Sequence, residues 1–124
     1  MPTLEVYLPQ GRPDERKAKL IQGLTDATVE AIAAPAESVR ILLSELAATN
    51  AGLAGKLTPA ALPVIIAILI AGRTDAQKVA LIAQLSETIA AILDLPLPST
   101  RVMIKDIPNR DFGIGGKTAR ALGR

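Results

Sequence analysis

The chain has 124 residues, of which 49% are hydrophobic and 2% aromatic, and its formal net charge is +2. This is the length of one domain, and the low charge and scarcity of rings argue against nucleic-acid binding, which needs a basic surface and stacking platforms. Cysteine and histidine are absent from the sequence, which excludes disulfides, thiol or imidazole catalysis and most transition-metal sites, so we expect neither a metal nor a cofactor.

The first predicted element is a strand over Thr3–Leu8, where apolar residues alternate with Glu5 and Tyr7. Such alternation is typical of a strand with one face on a core. A helix follows, with Pro13 suited to its opening position and Pro35 stopping it. Its apolar face, expected to cover a sheet, consists of Leu20, Ile21, Leu24, Thr28, Ala31 and Ile32.

A second strand is predicted over Val39–Leu46, with Arg40 on the face opposite to the apolar residues. A strand, a helix and a second strand joined by a right-handed crossover place the two strands parallel. The glycine-containing stretch Gly52–Lys56 predicts a tight turn. Residues 57–62 are then expected to form a linker.

The sequence contains an internal repeat. Shifting it by 61 positions aligns Pro2 with Pro63. Gly11-Arg12, Asp14, Lys17, Arg40 and Gly55-Lys56 fall on Gly72-Arg73, Asp75, Lys78, Arg101 and Gly116-Lys117. A gap-free match of this kind predicts a duplicated supersecondary unit.

The second copy repeats the elements of the first. Val64–Ile70 is apolar on both faces, which predicts a strand buried on both sides. Thr74 with Gln77 forms a capping-box pattern, and the helix that it opens ends before Pro96. A strand over Thr100–Ile107 and a turn over Gly113–Lys117 follow. The apolar face of this helix consists of Leu81, Ile82, Leu85, Ile89, Ile92 and Leu93.

The predicted fold class is therefore α/β (α+β), with two tandem β-α-β units forming a four-stranded sheet and two helices on one face. Residues 1–124 form a single pseudo-symmetric domain, divided into a first unit (2–56), a linker (57–62), a second unit (63–117) and a C-terminal tail (118–124). A unit of about sixty residues is marginal alone, and the aliphatic composition favours an oligomer over a monomer.

No segment is expected to enter a membrane. The apolar run Leu62–Ala71 is too short, since a spanning helix needs ~20 residues, and Glu5 interrupts the start of the chain where a signal peptide would be apolar. We expect a cytoplasmic protein.

Pro2 is the first candidate for chemistry, because removal of Met1 would leave a secondary amine at the start of a strand. Arg12 and Arg73 each precede a helix N-terminus, where backbone amides favour an anion. Arg40 and Arg101 lie on the strand face away from the helices, and a guanidinium is a bidentate partner for a carboxylate. Singly, each arginine is also consistent with a solvated surface residue.

These residues resemble the tautomerase superfamily, and most of all a fused, double-length member of the 4-oxalocrotonate tautomerase family. The motifs that carry the resemblance are Pro2, Gly11-Arg12, Asp14, Arg40, Gly72-Arg73-Thr74-Asp75, Arg101 and Phe112-Gly113-Ile114-Gly115-Gly116. The resemblance implies a tautomerase that moves a proton in a small 2-hydroxy or 2-oxo unsaturated carboxylic acid. It also implies a homotrimer of double-length chains.

The resemblance assigns roles to six residues. Pro2 is expected to be the general base, with Arg12 and Arg40 as catalytic arginines; Arg101 is the alternative to Arg40. Arg73, Arg101 and Phe112 are expected to bind the substrate. An α-amino group has a pKa near ~8, and burial beside arginines lowers it towards the value that suits a base at neutral pH.

Pro63 cannot act as a base, because Leu62 acylates its nitrogen, so the second copy predicts a pseudo-site. The resemblance implies that the aromatic ring is supplied by the other half of the pair. Phe112 should therefore face Pro2, while Ala51, its counterpart, faces Pro63. Composition alone favours Phe112 as a core residue.

Two alternatives remain open. One is a hydratase, dehalogenase or decarboxylase for acrylate-type acids, with a cationic Pro2 as acid and Glu5 or Glu45 as a carboxylate that activates water. The other is a non-catalytic, anion-binding trimer, which follows if Met1 is retained and Pro2 is as blocked as Pro63.

Overall fold

A computed structural model of the chain describes residues 1–59 and 61–124. Its helices and strands follow the order β1 (Thr3–Pro9), α1 (Asp14–Ile32), β2 (Arg40–Leu46), β3 (Gly52–Leu53), β4 (Lys56–Leu57), β5 (Val64–Ile70), α2 (Asp75–Leu93), β6 (Arg101–Ile107), β7 (Gly113–Ile114) and β8 (Lys117–Thr118). The predicted β-α-β units are confirmed, with strand ends within one residue of expectation.

The central sheet has the strand order β2-β1-β5-β6. Strand β1 is parallel to β2, and β5 is parallel to β6, as the crossover connections require. The two units join through β1 and β5, which are antiparallel and pair Thr3 with Ile68 and Tyr7 with Val64. The start of β1 therefore lies beside the end of β5, which determines the neighbours of Pro2.

Both helices cover one face of the sheet and pack against each other. The fully buried residues of α1 and α2 include Leu20, Leu24, Ile32, Leu81, Leu85 and Ile89. Burying each such side chain contributes roughly 1.5–3 kcal/mol. The prediction is wrong for Ile21 and Ile82, which are 41% and 40% exposed, because they lie at the margin of the apolar stripe, one position beyond the fully buried leucines.

The helices touch closely at Gly23, where an added Cβ would lie 2.9 Å from Ile92 Cδ1 and 3.0 Å from Thr88 Cγ2. Helix α2 is also apolar and long enough, by length and composition, to cross a membrane. It buries Leu81, Leu85 and Ile89 in the core, as the core helix of a globular domain does.

The helix ends differ slightly from expectation. Pro13 is the N-cap of α1, with an extended backbone, and Asp14 is the first helical residue. Each helix ends two to three residues before its proline, at the left-handed residues Ala33 and Asp94. At the start of α2 the predicted capping box is confirmed: Gln77 N donates to Thr74 Oγ1 over 3.1 Å, and Thr74 N donates to Gln77 Oε1 over 3.0 Å.

Replacing Thr74 by alanine should lower the free energy of unfolding by about 1 kcal/mol, because the cap that satisfies an orphan amide is lost. Urea unfolding followed by circular dichroism measures the change. Thr49→Ala, at an exposed position in the short 3-10 helix Ala48–Asn50, outside α1 and α2, is the matched control and should change stability by less than about 0.5 kcal/mol. Equal losses in the two variants would contradict a specific role for the cap.

The outer face of the sheet is partly uncovered in the single chain. The side chains of β5 alternate between buried and half-buried positions, so the prediction of burial on both sides is wrong within one chain. Leu42 and Met103 on the flanking strands are 52% and 51% exposed. An apolar sheet face of this kind indicates a surface that another molecule covers.

The two glycine-rich turns are short hairpins, β3–β4 and β7–β8. They include Leu57 and Thr118, which the sequence placed in the linker and in the tail. The tail after β8 folds into turns, in which Leu122 N donates to Thr118 O over 3.2 Å.

Candidate active site

Pro2 is buried at the start of the central sheet. Its carbonyl oxygen accepts a hydrogen bond from Arg40 N, over 2.9 Å, which anchors it to the first residue of β2. Because β1 and β5 run antiparallel, Pro2 also lies beside the end of β5 and the Gly72-Arg73 turn that follows it. Residues from both copies therefore surround the first proline.

Two open cavities flank this end of the sheet. The first has a volume of about 500 Å³, and its lining includes Pro2, Arg73 and Gln77. The second has a volume of about 610 Å³, and its lining includes Arg40 and Phe112. Met1, Pro35, Ser38 and Arg124 line both cavities. Removal of Met1 would make the Pro2 nitrogen the terminal amine at the first of these cavities.

Arg73 is held in place by the end of the first helix. Its Nη1 donates a hydrogen bond to the carbonyl oxygen of Ile32, the last residue of α1. Carbonyls at helix C-termini lack intrahelical partners and carry partial negative charge, so this contact satisfies the helix and leaves the other donors of the guanidinium for the cavity. Arg16 serves α2 similarly, with Nη1 donating to Ile92 O over 2.8 Å.

The environment favours a neutral amine at this end of the chain. The pKa of the amino group of Met1 lies below its ordinary value of 8.0, because burial disfavours the charged form and because the cations Arg73 and Arg124 repel it. The charged groups that line the cavities also include Arg40 and Glu37. The Pro2 nitrogen would inherit these surroundings after removal of Met1.

The other two predicted arginines lie at the opposite end of the sheet. Arg12 follows the end of β1, and Arg101 opens β6, where its backbone N donates to Pro63 O over 3.3 Å. Arg101 Nη1 is also bonded to the carbonyl oxygens of Pro98 and Thr100, each over 2.8 Å. Within one chain these two arginines therefore lie at the Pro63 end of the sheet. A role for either at Pro2 requires a second chain.

Pro63 lies at the end of the sheet where Tyr7 pairs with Val64, and Ala51 stands there in place of Phe112. Its nitrogen is part of the Leu62–Pro63 peptide bond, and its hairpin carries the buried Ala51. Phe112 lines the second cavity at the Pro2 end, together with Met1 and Arg40, while Pro2 lines the first. The Pro2 end thus combines a potential free amine with Arg40, Arg73, Arg124 and Phe112. The Pro63 end lacks a free amine and has Ala51 in place of Phe112.

The carboxylates suggested for water activation lie elsewhere. Glu5 Oε2 accepts from Tyr7 Oη over 2.9 Å on the outer sheet face, and Glu45 Oε1 is bonded to Lys17 Nζ, also over 2.9 Å. Sequence reasoning missed Glu37 and Arg124, both of which line the second cavity. Only Arg124 could have been suggested from the sequence, because it is a cation in the tail that follows Phe112 in the second copy. Among residues 1–59 and 61–124, no group of three or more acidic side chains is arranged to hold a metal ion.

Comparisons with known proteins extend over the whole chain. The sequence model of a family described as "Tautomerase enzyme" matches residues 2–60 and again residues 63–121. The 2-hydroxymuconate tautomerase of Pseudomonas sp. (strain CF600) is 46% identical over 63 residues, which are 51% of this chain and 100% of that protein. The 2-hydroxymuconate tautomerase of Stutzerimonas stutzeri is 50% identical over 56 residues, 45% of this chain and 89% of that protein.

Solved structures of double-length proteins match both halves together. F6 fused 4-OT, described as a wild-type asymmetric trimer, is 85% identical with a TM-score of 0.97, covering 98% of this chain and 99% of that one. Native fused 4-OT is 68% identical with a TM-score of 0.95 and the same coverage. N1, a member of the cis-3-chloroacrylic acid dehalogenase family, is 29% identical with a TM-score of 0.85, over 94% of this chain and 82% of that one.

Proposed function

The chain belongs to the tautomerase family and is a tautomerase enzyme, and from this premise we propose that its substrate is a small 2-hydroxy or 2-oxo unsaturated carboxylic acid. The amine of Pro2, freed by removal of Met1, is the general base. The observation that carries the proposal is the buried Pro2 in a cavity that Arg73 and Arg124 also line. At this end of the chain burial, and then the charges of these two arginines, lower the pKa of the amino group of Met1. A neutral amine at cellular pH has a lone pair that can accept a proton.

The proton moves within the substrate by way of Pro2. The lone pair of Pro2 N takes a proton from the substrate, which leaves a dienolate, and the resulting ammonium returns the proton at another atom. Arg73 and Arg40 bind the carboxylate and stabilise the negative charge that develops on the dienolate oxygen, as preorganised cations do. Phe112 forms a wall of the second cavity and limits the access of water.

The remaining arginines have a place in an assembly. We propose a homotrimer, because the outer sheet face exposes Leu42 and Met103 in the single chain and because F6 fused 4-OT is a trimer. Arg12 and Arg101 can contribute to Pro2 only when a second copy brings them there. The protein is proposed to work in the cytoplasm.

The pH dependence of the reaction tests the proposal. The purified protein should have the mass of the chain without Met1 and should convert 2-hydroxymuconate to its 2-oxo isomer. Because the base must be neutral, kcat/KM should fall as the pH drops below the pKa of the Pro2 amine. Burial and the cations Arg73 and Arg124, which lower the pKa of the Met1 amino group, should hold this acid limb at a lower pH than in a variant that lacks either cation. Full retention of Met1, or a rate that rises on acidification, would contradict the proposal.

One observation favours a second activity. The second cavity contains the carboxylate Glu37 beside Arg40 and Phe112, and the chain is similar in fold and sequence to the dehalogenase-family member N1. A hydratase or dehalogenase would use a charged Pro2 as acid, with Glu37 activating water. The same pH profile separates the two functions, because acid catalysis needs the charged amine and its rate falls above the pKa of that amine.

A further inference from the structure

Arg124 occupies a position that the first copy does not provide. Its side chain lines both cavities at Pro2. At the repeat offset of 61 its counterpart is Pro63, the residue that leads into β5. Residues 118–124 form the tail of the second copy, whereas their counterparts, residues 57–63, connect the first copy to the second.

Specific hydrogen bonds hold the tail against the site. Asn109 Nδ2 donates to the carbonyl oxygen of Arg124 over 2.9 Å, and Arg124 N donates to Ala119 O over 2.9 Å. Ala119 is fully buried, and its own N donates to Phe112 O over 2.8 Å. The tail and the ring that walls the second cavity therefore form one connected unit.

The guanidinium of Arg124 is available for a ligand. Among residues 1–59 and 61–124 it has no side-chain hydrogen bond or ion pair, although the acid Glu37 lines the same cavity. Arg73, in contrast, already donates to Ile32 O. An unpaired guanidinium that lines the same cavities as Met1 is suited to a planar anion such as a carboxylate, which accepts two parallel hydrogen bonds.

We propose that Arg124 binds the substrate carboxylate at Pro2 as a third arginine beside Arg40 and Arg73, and that Asn109 is the positioning residue that holds it there. The inference rests on the proposed function, since it concerns the same site. The lowered pKa of the N-terminal amine, for which Arg124 is one cause, supports the placement. A carboxylate bound between these arginines lies next to the proline that moves the proton.

The test compares Arg124→Gln with the wild type. KM for 2-hydroxymuconate should rise about 3- to 10-fold, a modest effect because the side chain is otherwise solvent-exposed, with a smaller change in kcat. Removing the cation should also raise the pKa of the Pro2 amine, so that the acid limb of kcat/KM moves to higher pH. Arg124→Lys should restore the pKa but not the full affinity, since lysine lacks the bidentate fork.

Arg120→Gln is the matched control. It removes the same charge from the same tail, at a side chain that lines neither cavity, and should leave KM and the acid limb unchanged. Asn109→Ala should shift both quantities in the same direction as Arg124→Gln, by a smaller amount. Unchanged KM and pKa in Arg124→Gln, or equal effects of Arg120→Gln, would overturn the proposal.

Titration of the Pro2 nitrogen by ¹⁵N NMR separates an error in the role of Arg124 from an error in the proposed function. The titration needs no turnover, so it reports the effect of Arg124 on the amine even in a protein that does not convert the substrate. If the wild type is inactive but Arg124→Gln raises the amine pKa, the placement stands and the proposed reaction does not. If the wild type is active and the pKa does not move, the placement of Arg124 is refuted.

Discussion

Pro2→Ala should lose about 100-fold in kcat/KM on 2-hydroxymuconate, within the usual contribution of a general base. Alanine keeps an amine after removal of Met1, but the pyrrolidine ring that fixes the lone pair at the start of β1 is gone. A chain that retains Met1 should lose more, about 10²- to 10⁴-fold, because its Pro2 nitrogen is an amide with no basic lone pair.

Pro63→Ala is the matched control for this experiment. The Pro63 nitrogen is acylated by Leu62, so its ring can be removed without removing a base. Its kcat/KM per folded protein should stay within about 3-fold of the wild type, after circular dichroism has shown that both variants fold. Full activity in a protein whose intact mass includes Met1 would show that the amine is not the base.

Arg73→Gln should lose about 10- to 100-fold in kcat/KM, the range expected when a charge-assisted hydrogen bond to a carboxylate is removed. The loss has two physical parts. The substrate carboxylate loses a cation, and the pKa of the Pro2 amine should rise, because the charge of Arg73 lowers the pKa of an amino group at this end of the chain, as it does for Met1. The acid limb of the pH profile should therefore move to higher pH, which kinetics across the pH range would measure.

Two other arginines supply controls for Arg73. Arg16→Gln removes a hydrogen bond to the last turn of the other helix, at Ile92 O. Arg16 lines neither cavity, so the change should alter stability but not the pH profile. Arg12→Gln changes the counterpart of Arg73 in the first copy and should have the smaller effect on kcat/KM. A larger loss for Arg12→Gln would show that a neighbouring copy supplies Arg12 to the site in place of Arg73.

The repeat made most of the fold predictable. Once Pro2 falls on Pro63 at a fixed offset, every element found in one copy is expected in the other, and the crossover rule sets the parallel pairs. The capping box at Thr74 and Gln77 is a local signal and was predicted correctly. The prediction that β5 is buried on both faces was wrong for the single chain, because burial of the outer face depends on what covers the sheet.

The site was predicted less completely, because its geometry depends on how the two copies meet. Arg12 was expected beside Pro2 since the two share a copy, yet a strand of seven residues separates them. The antiparallel pairing of β1 with β5 brings Arg73 there instead. The argument that placed Phe112 opposite Pro2 applies equally to Arg73. Glu37 and Arg124 depend on a loop and a tail, whose positions no periodic pattern encodes.

The antiparallel junction of β1 and β5 has a genetic consequence. Pro2 is encoded in the first repeat and its neighbour Arg73 in the second, yet both lie on one polypeptide. Co-expressing two defective alleles, one altered at each of these positions, therefore cannot rebuild an intact pair by mixing subunits. In the duplicated gene, each repeat is left free to diverge wherever its residues face the acylated proline.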